Sequence, residues 1–262
     1  MSFDNSIINL SRECISNFNS FEKNDWVVKP SIPILFFGDL KEFKKSKFKV
    51  VTVGLNPSDN EFKETRFNIT KDILKKGNEG IYLNTLSNYF KNNPYNWFNH
   101  EIENLLNRMD ASLYNNKINT ALHTDLCTPI ATDPNWFVLQ NKINPKTLKR
   151  LSDSGFELWL KLMNYLKPNI ILMSVGRDHF ETKSPFNSVK WENFEIIKKK
   201  KGDLFTFPKD TWRQNIRRLP NIGNSRVYHI INFKGTAFGH LKVSRCPQAA
   251  KLILKNYSKS FS

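Results

Sequence analysis

Lys49-Val50-Val51-Thr52-Val53-Gly54-Leu55-Asn56-Pro57-Ser58 is the stretch from which the fold is read. Its β-branched run, Val50 to Val53, favours a strand buried on both faces, and residues 48 to 54 read as a buried parallel strand. The run ends abruptly in a tight turn. Gly54 allows a close backbone approach or a positive φ, Pro57 stiffens the chain, and Asn56 is left as an amide on rigid backbone. Ligands of open α/β sheets bind at the carboxyl ends of strands, which is where this amide stands. The same pentapeptide also serves an ordinary strand-to-loop turn, with Asn and Pro in turn roles alone.

Working outward, the pattern recurs. Ala121 to Cys127 is a second strand candidate and runs into Thr128-Pro129-Ile130-Ala131-Thr132-Asp133-Pro134. A helix is predicted from about Pro145 to Leu166, stopped by Lys167-Pro168. Asn169 to Val175 is a nearly continuous apolar run closed by Gly176-Arg177, and Arg226 to Asn232 is a fourth strand before a helix from about Pro247 to Asn256. Residues 80 to 110 carry helical spacing interrupted at Pro94, which predicts two helices. The first 30 residues show no decisive period and read as a helix plus a connector. Strands alternating with helices predict an α/β fold: a single three-layer αβα domain around a central four-stranded parallel sheet. Residues 1–47 are expected to form an N-terminal helical segment packing on a core domain of residues 48–262. A basic, poorly periodic insertion interrupts that domain at about 178–225.

The 262 residues are 39% hydrophobic, with 21 Phe and 6 Trp, ample for a packed core. No apolar run approaches the roughly 18 residues needed to span a bilayer, and the N-terminus lacks the basic-then-apolar order of a signal peptide. A cytoplasmic monomer with no membrane association is expected. Three widely separated cysteines, Cys14, Cys127 and Cys246, include no Cys-x-x-Cys pair and point to no disulfide framework, metal site or iron–sulfur cluster. No cofactor is expected. Charge is the second strong signal: 40 Lys+Arg against 24 Asp+Glu gives +16 and a pI near 9.7. Such a surplus suits a polyanionic partner, with DNA, double- or single-stranded, leading. The cations concentrate at Lys41 to Lys49, Lys142 to Arg150, Lys198 to Lys201 and Arg213 to Arg218, interleaved with Phe205, Phe207 and Trp212. Singly these are solvated faces; together they suit a phosphate-tracking surface with side chains that stack on bases.

Dinucleotide, nucleotide triphosphate, esterase and zinc-protease fingerprints are missing from the sequence. What the loops resemble is the uracil-DNA glycosylase superfamily, particularly its mismatch-specific and single-strand-selective branches. Gly54-Leu55-Asn56-Pro57-Ser58 matches a G-x-N-P-G type loop, in which the Asn positions the water that attacks the sugar's anomeric carbon. Leu166-Lys167-Pro168 followed by Asn169 to Gly176 matches a helix ending in Lys-Pro before an apolar strand. The family's second loop falls at Asn232, where Phe233-Lys234-Gly235 departs from its P-S sequence.

The resemblance implies a monofunctional glycosylase that flips a base and hydrolyses its N-glycosidic bond. Asn56 would hold the water, with Gly54, Leu55 and Ser58 lining the base site. Asp59 is a candidate carboxylate or a turn cap. Phe62 or Phe67 is a candidate aromatic floor or a core residue. Asn232 would contact base or phosphate, and Lys234, Gly235, Thr236 and His240, with Lys198, Lys199, Lys200 and Lys201, would meet DNA. Ser58 stands where classical uracil enzymes carry a Tyr that blocks bases substituted at C5, which leaves room for such a group. Asp125 stands where they carry a base-reading Asn. As an ionised acceptor it suits the N4 amino group of cytosine; as structure alone it is a strand-end cap or an ion-pair partner. Together these departures suggest a 5-substituted cytosine, such as a hypermodified cytosine of phage DNA, and an antiviral role. A uracil or mismatch repair glycosylase is the alternative. A non-catalytic nucleic-acid-binding module would bind in a salt-sensitive way that survives Asn56→Ala. A nuclease would need a divalent metal, for which Asp125, Asp133, Asp153 and Asp178 make no convincing cluster.

Overall fold

A computed structural model describes residues 3–176, 179, 191–193, 212–215, 225–230, 238 and 243–259. Helix α1 (Asn5–Asn19) opens on an Asp4 cap, whose side chain accepts from the Ile7 amide, and buries Ile7, Leu10, Ser11, Cys14, Ile15 and Phe18. Those positions form one helical stripe, so this segment does have a period, blurred in sequence by its polar members Ser11 and Cys14. Asp39 caps α2 (Leu40–Lys45) in the same way. Strand β1 (Val50–Gly54) is buried at every position. Helices α3 (Glu79–Ser87) and α4 (Glu101–Asn107) follow, separated by short 3₁₀ turns around Pro94. A small parallel pair, β2 (Ala111–Ser112) and β3 (Asn119–Thr120), precedes β4 (Leu122–Asp125).

After α5 (Trp136–Leu139), helix α6 spans Pro145–Leu166. Pro145 occupies its first turn, the Asn144 side chain caps the Lys146 amide, and Lys167 ends it in the left-handed region at φ 47°. Strand β5 (Ile170–Met173) is buried throughout, and β6 (Trp191–Asn193), β7 (Trp212–Asn215), β8 (Arg226–Ile230) and a C-terminal helix α7 (Cys246–Lys259) complete the described elements.

The sheet runs β4-β1-β5-β8-β7-β6. Its first four strands are parallel, forming the core of the three-layer αβα architecture. The last two extend it in antiparallel sense, from within the stretch read as an insertion without strands. Three- and four-residue strands of Trp-Glu-Asn and Trp-Arg-Gln-Asn carry no apolar alternation, so their pairing is invisible to a periodicity reading. Among the described residues no helix is long and apolar enough to cross a membrane.

Strand order places the functional end. From β1 the chain steps to one side, to β4; from β4 it returns across β1 to β5. Right-handed crossovers therefore send the two connections to opposite faces. In accord, α4 packs with the C-terminal helix and α6 with α1. From β1 the chain steps toward β4 and from β5, its other neighbour, it steps away toward β8, so the topological switch point of this sheet lies between the carboxyl ends of β1 and β5, beside the β1 loop.

Candidate active site

Backbone pairing locks the β1 and β4 loops together. Gly54 is the register partner of Asp125, and beyond the strands the amides of Leu126 and Cys127 donate to the carbonyls of Gly54 and Leu55 at 3.0 and 2.8 Å. Ser58 then bridges Thr132. Of the roles open to Gly54, the structure selects close approach, since a Cβ there would lie 2.6 Å from Asp125 Oδ1 and 3.3 Å from His123 Nε2. A second glycine fixes the far side of the β4 loop. A Cβ on Gly155 of α6 would fall 2.0 Å from the Cys127 carbonyl oxygen, so the helix seats directly on that backbone.

Asn56 is half-buried, and its amide orientation is determined by its partners. Nδ2 donates to the Pro57 carbonyl at 2.9 Å and to Thr132 Oγ1 at 3.0 Å. A carbonyl only accepts, so the NH₂ must face Pro57 and the amide oxygen is turned away. Among the described residues Oδ1 has no hydrogen-bond donor, which leaves an oriented acceptor at the strand's carboxyl end. Thr132, buried and held by bridges to both Val27 and Ser58, is the anchor that sequence reading missed.

Asp125 differs from its expectation. Its side chain is buried, no Lys or Arg among the described residues pairs with it, and Oδ2 has no hydrogen-bond partner among them. The neighbouring His123 Nε2 lies 3.8 Å from Oδ1, beyond hydrogen-bond reach. Burial and the nearby Glu61 carboxyl push the Asp125 acid well above the ordinary carboxylate range. These surroundings work against the expected ionised, acceptor-only group and favour the protonated carboxyl, which offers one O–H donor and one carbonyl acceptor. The readings as a strand-end cap and as an ion-pair partner find no support among the described residues, where neither a backbone amide nor a Lys or Arg reaches it.

Two further buried groups lie beside it, Glu61 and His123, with Tyr89 behind Glu61; none of them was singled out by sequence. Glu61 is pushed up to about 7 by burial and accepts a short hydrogen bond from the Tyr89 hydroxyl, which itself accepts from the Tyr95 amide at 3.0 Å. His123 is pushed down to about 3 by burial, so it is neutral. Its Nδ1 lies 2.8 Å from Thr52 Oγ1, and the rings of Phe37, Trp97 and Phe98 enclose it. The signal available for these residues was weak: a lone Glu in a loop, a Tyr at helical spacing and a His within a strand.

Asp59 makes an ion pair with Lys63 at 2.6 Å in the first turn after Ser58, where its charge adds to the upward shift of Glu61. Phe67 is a core residue, buried between Phe62, Tyr89 and Phe37. Phe62 stacks on it at 5.3 Å and is half-buried, which makes it the better placed of the two to floor a base. Leu55 is half-buried against the core.

Asn232, Lys234, Gly235, Thr236, His240 and Lys198, Lys199, Lys200 and Lys201 lie outside the described residues, as does most of the stretch 178–225. Within the second loop Phe238 is described. It is buried, and its amide donates to Ser174 Oγ at 2.8 Å, just beyond β5. The other basic clusters divide by topology. Lys41 to Lys49 lies before β1, at the amino end of the sheet. Lys142 to Arg150 lies at the start of α6, which runs antiparallel to β5 and so begins at the carboxyl end; Lys142, Lys146, Lys149 and Arg150 are exposed there. Among the described residues no group of three His, Cys, Asp or Glu side chains converges as a metal site. No family model, no curated protein and no solved structure matches this chain.

Proposed function

We propose that the chain is a monofunctional DNA glycosylase that hydrolyses the N-glycosidic bond of a flipped pyrimidine and leaves an abasic site. Its preferred base is a 5-substituted cytosine, such as glucosylated hydroxymethylcytosine of phage DNA, so that the reaction serves antiviral defence. The observation that carries this reading is the pairing, at the adjoining carboxyl ends of β1 and β4, of an oriented amide acceptor with a buried acid that has an unpartnered oxygen among the described residues. Asn56 Oδ1 is free to hold a water beneath a sugar, and Asp125 presents a donor and an acceptor to a pyrimidine edge. Ser58, held beside Thr132, is a small side chain where a Tyr would crowd a group at C5. The exposed cations at the start of α6 give the same end of the sheet a surface for phosphates.

Asn56 is a poor proton acceptor, so rate acceleration rests on positioning the water and stabilising the departing base, and turnover is slow. The neutral state of Asp125 favours a second reading, a uracil or mismatch glycosylase. A carboxylic acid matches the edge of uracil as well as that of cytosine, as an amide does.

The test is excision without added metal, followed by alkali cleavage, on matched oligonucleotides and phage DNAs carrying uracil, cytosine, hydroxymethylcytosine or glucosylated hydroxymethylcytosine. Abasic sites on the modified-cytosine DNA, reduced about 100-fold or more in Asn56→Ala, are expected. Salt-sensitive binding without cleavage on every substrate refutes the enzyme reading and leaves a binding module.

A further inference from the structure

The position of Asp125 carries an inference that rests on the glycosylase reading and deepens it. Buried carboxyls in proteins are ordinarily paired. This one sits opposite Gly54 in the strand register, so close that no Cβ fits between them, yet its Oδ2 has no partner among the described residues. An acid built so tightly into a strand end, one pair of backbone bonds from the Asn56 loop, has its hydrogen-bonding capacity left over for something that arrives.

We propose that Asp125 is the general acid of the reaction, passing its carboxyl proton to the ring nitrogen N3 of the departing base, and that the site therefore takes cytosine-type bases, whose N3 is unprotonated. As the C1′–N1 bond breaks, its electron pair moves into the base ring and the Asp125 O–H proton moves to N3, so the base leaves neutral. The water held by Asn56 adds its oxygen to C1′. That water's proton passes through solvent to restore the Asp125 acid. Uracil already carries a proton on N3 and gains nothing from this transfer, whereas the cytosine anion is a poor leaving group that needs it.

The surroundings keep the proton on Asp125 until a base accepts it. Among the described residues the titratable group that acts on it directly is Glu61, whose negative charge, when present, raises its proton affinity further. Tyr89, Arg66 and Asp59 reach it only through Glu61. His123, the nearest ring, is neutral and out of hydrogen-bond reach, so it offers neither a competing charge nor a sink for the proton. A carboxylic acid held neutral by an apolar site so that it can donate is an arrangement known from other enzymes.

Single-turnover excision by wild type and Asp125→Asn is the deciding measurement, on DNA carrying the responsive cytosine derivative, its 3-deaza analogue, or uracil. Asn is a neutral isostere that keeps the donor and acceptor but has no proton to give. The expected result is a fall of about 100-fold or more in the rate on the cytosine derivative, with little change in DNA binding and no comparable fall on uracil. Wild-type protein should lose a similar factor on the 3-deaza base, a comparison that needs no variant to fold. Undiminished excision of the cytosine derivative by Asp125→Asn, or of the 3-deaza base by wild type, overturns the assignment and leaves the glycosylase reading standing. A wild-type protein that excises none of the bases overturns both.

Discussion

The loop after β1 and the end of β4 lie side by side, yet their polar groups are treated in opposite ways. In the β1 loop the donors and the charge are tied down: Asn56 Nδ2 donates to Pro57 and Thr132, and Asp59 is paired with Lys63 in partial contact with solvent. At the β4 end the polar groups are dry: among the described residues Asp125 has an orphaned oxygen, His123 is walled in by aromatic rings, and Glu61, folded in from the turn after β1, accepts from a tyrosine hydroxyl. The first region spends its hydrogen bonds on holding one atom in place. The second raises the proton affinity of its acids chiefly by denying them water, at a cost in stability that a merely structural strand end has no reason to bear.

The contrast breaks most completely if the β4 end is pushed off its support. Gly155→Ala forces a methyl group into the Cys127 carbonyl, and a loss of about 3 kcal/mol is expected in urea unfolding, with the β4 loop displaced from α6.

A subtler measurement sharpens the contrast through pH. Glu61 has a folded-state pKa near 7 against an ordinary value of 4.5, so the folded protein binds this proton more tightly than the unfolded chain. Its contribution to stability is complete below about 4.5 and disappears as pH rises through about 7, a decline of roughly 3 kcal/mol. Asp125, also shifted upward, adds a slope of the same sign starting from 3.8. Glu61→Gln should remove the Glu61 share, giving a flatter profile when unfolding free energies are compared at about pH 5 and about pH 8. An unchanged slope in that variant contradicts the dry environment assigned to the β4 end.

The smallest effect belongs to the β1 loop. Asp59→Asn disrupts one partly exposed ion pair, so stability should change by less than about 1 kcal/mol and excision by less than about threefold. A large loss of activity would instead make Asp59 the general base that the site otherwise lacks.

Much of this fold was legible because burial on both faces demands long apolar runs, and such runs announce themselves. Val50 to Val53 and Ile170 to Met173 emerged as strands, and α6 begins and ends at the residues its Pro145 and Lys167-Pro168 signals predict. Strands β6 and β7 were not legible, because a short polar strand is stabilised by a neighbour's backbone rather than by its own side chains. At the candidate site, the turn chemistry of Gly54 to Ser58 singled out Asn56, and Asp125 was singled out only through the resemblance, as the residue standing where the family carries a base-reading Asn. Thr132, Glu61, Tyr89 and His123 stayed hidden, since nothing in a Thr, a Glu, a Tyr or a His says that its partner lies dozens of residues away.

The sequence by itself determined the four parallel strands, their carboxyl-end turns and the charge that suits a polyanion, because these follow from local periodicity, backbone restriction and composition. Only the tertiary structure decided that β4 lies beside β1 and that α6 leaves from the opposite face. It likewise decided that the surroundings of Asp125 favour its protonated form. Strand order and proton affinity depend on what packs around a residue, and a carboxyl surrounded by Gly54, His123 and Glu61 instead of water holds its proton for reasons that its own sequence neighbours do not contain.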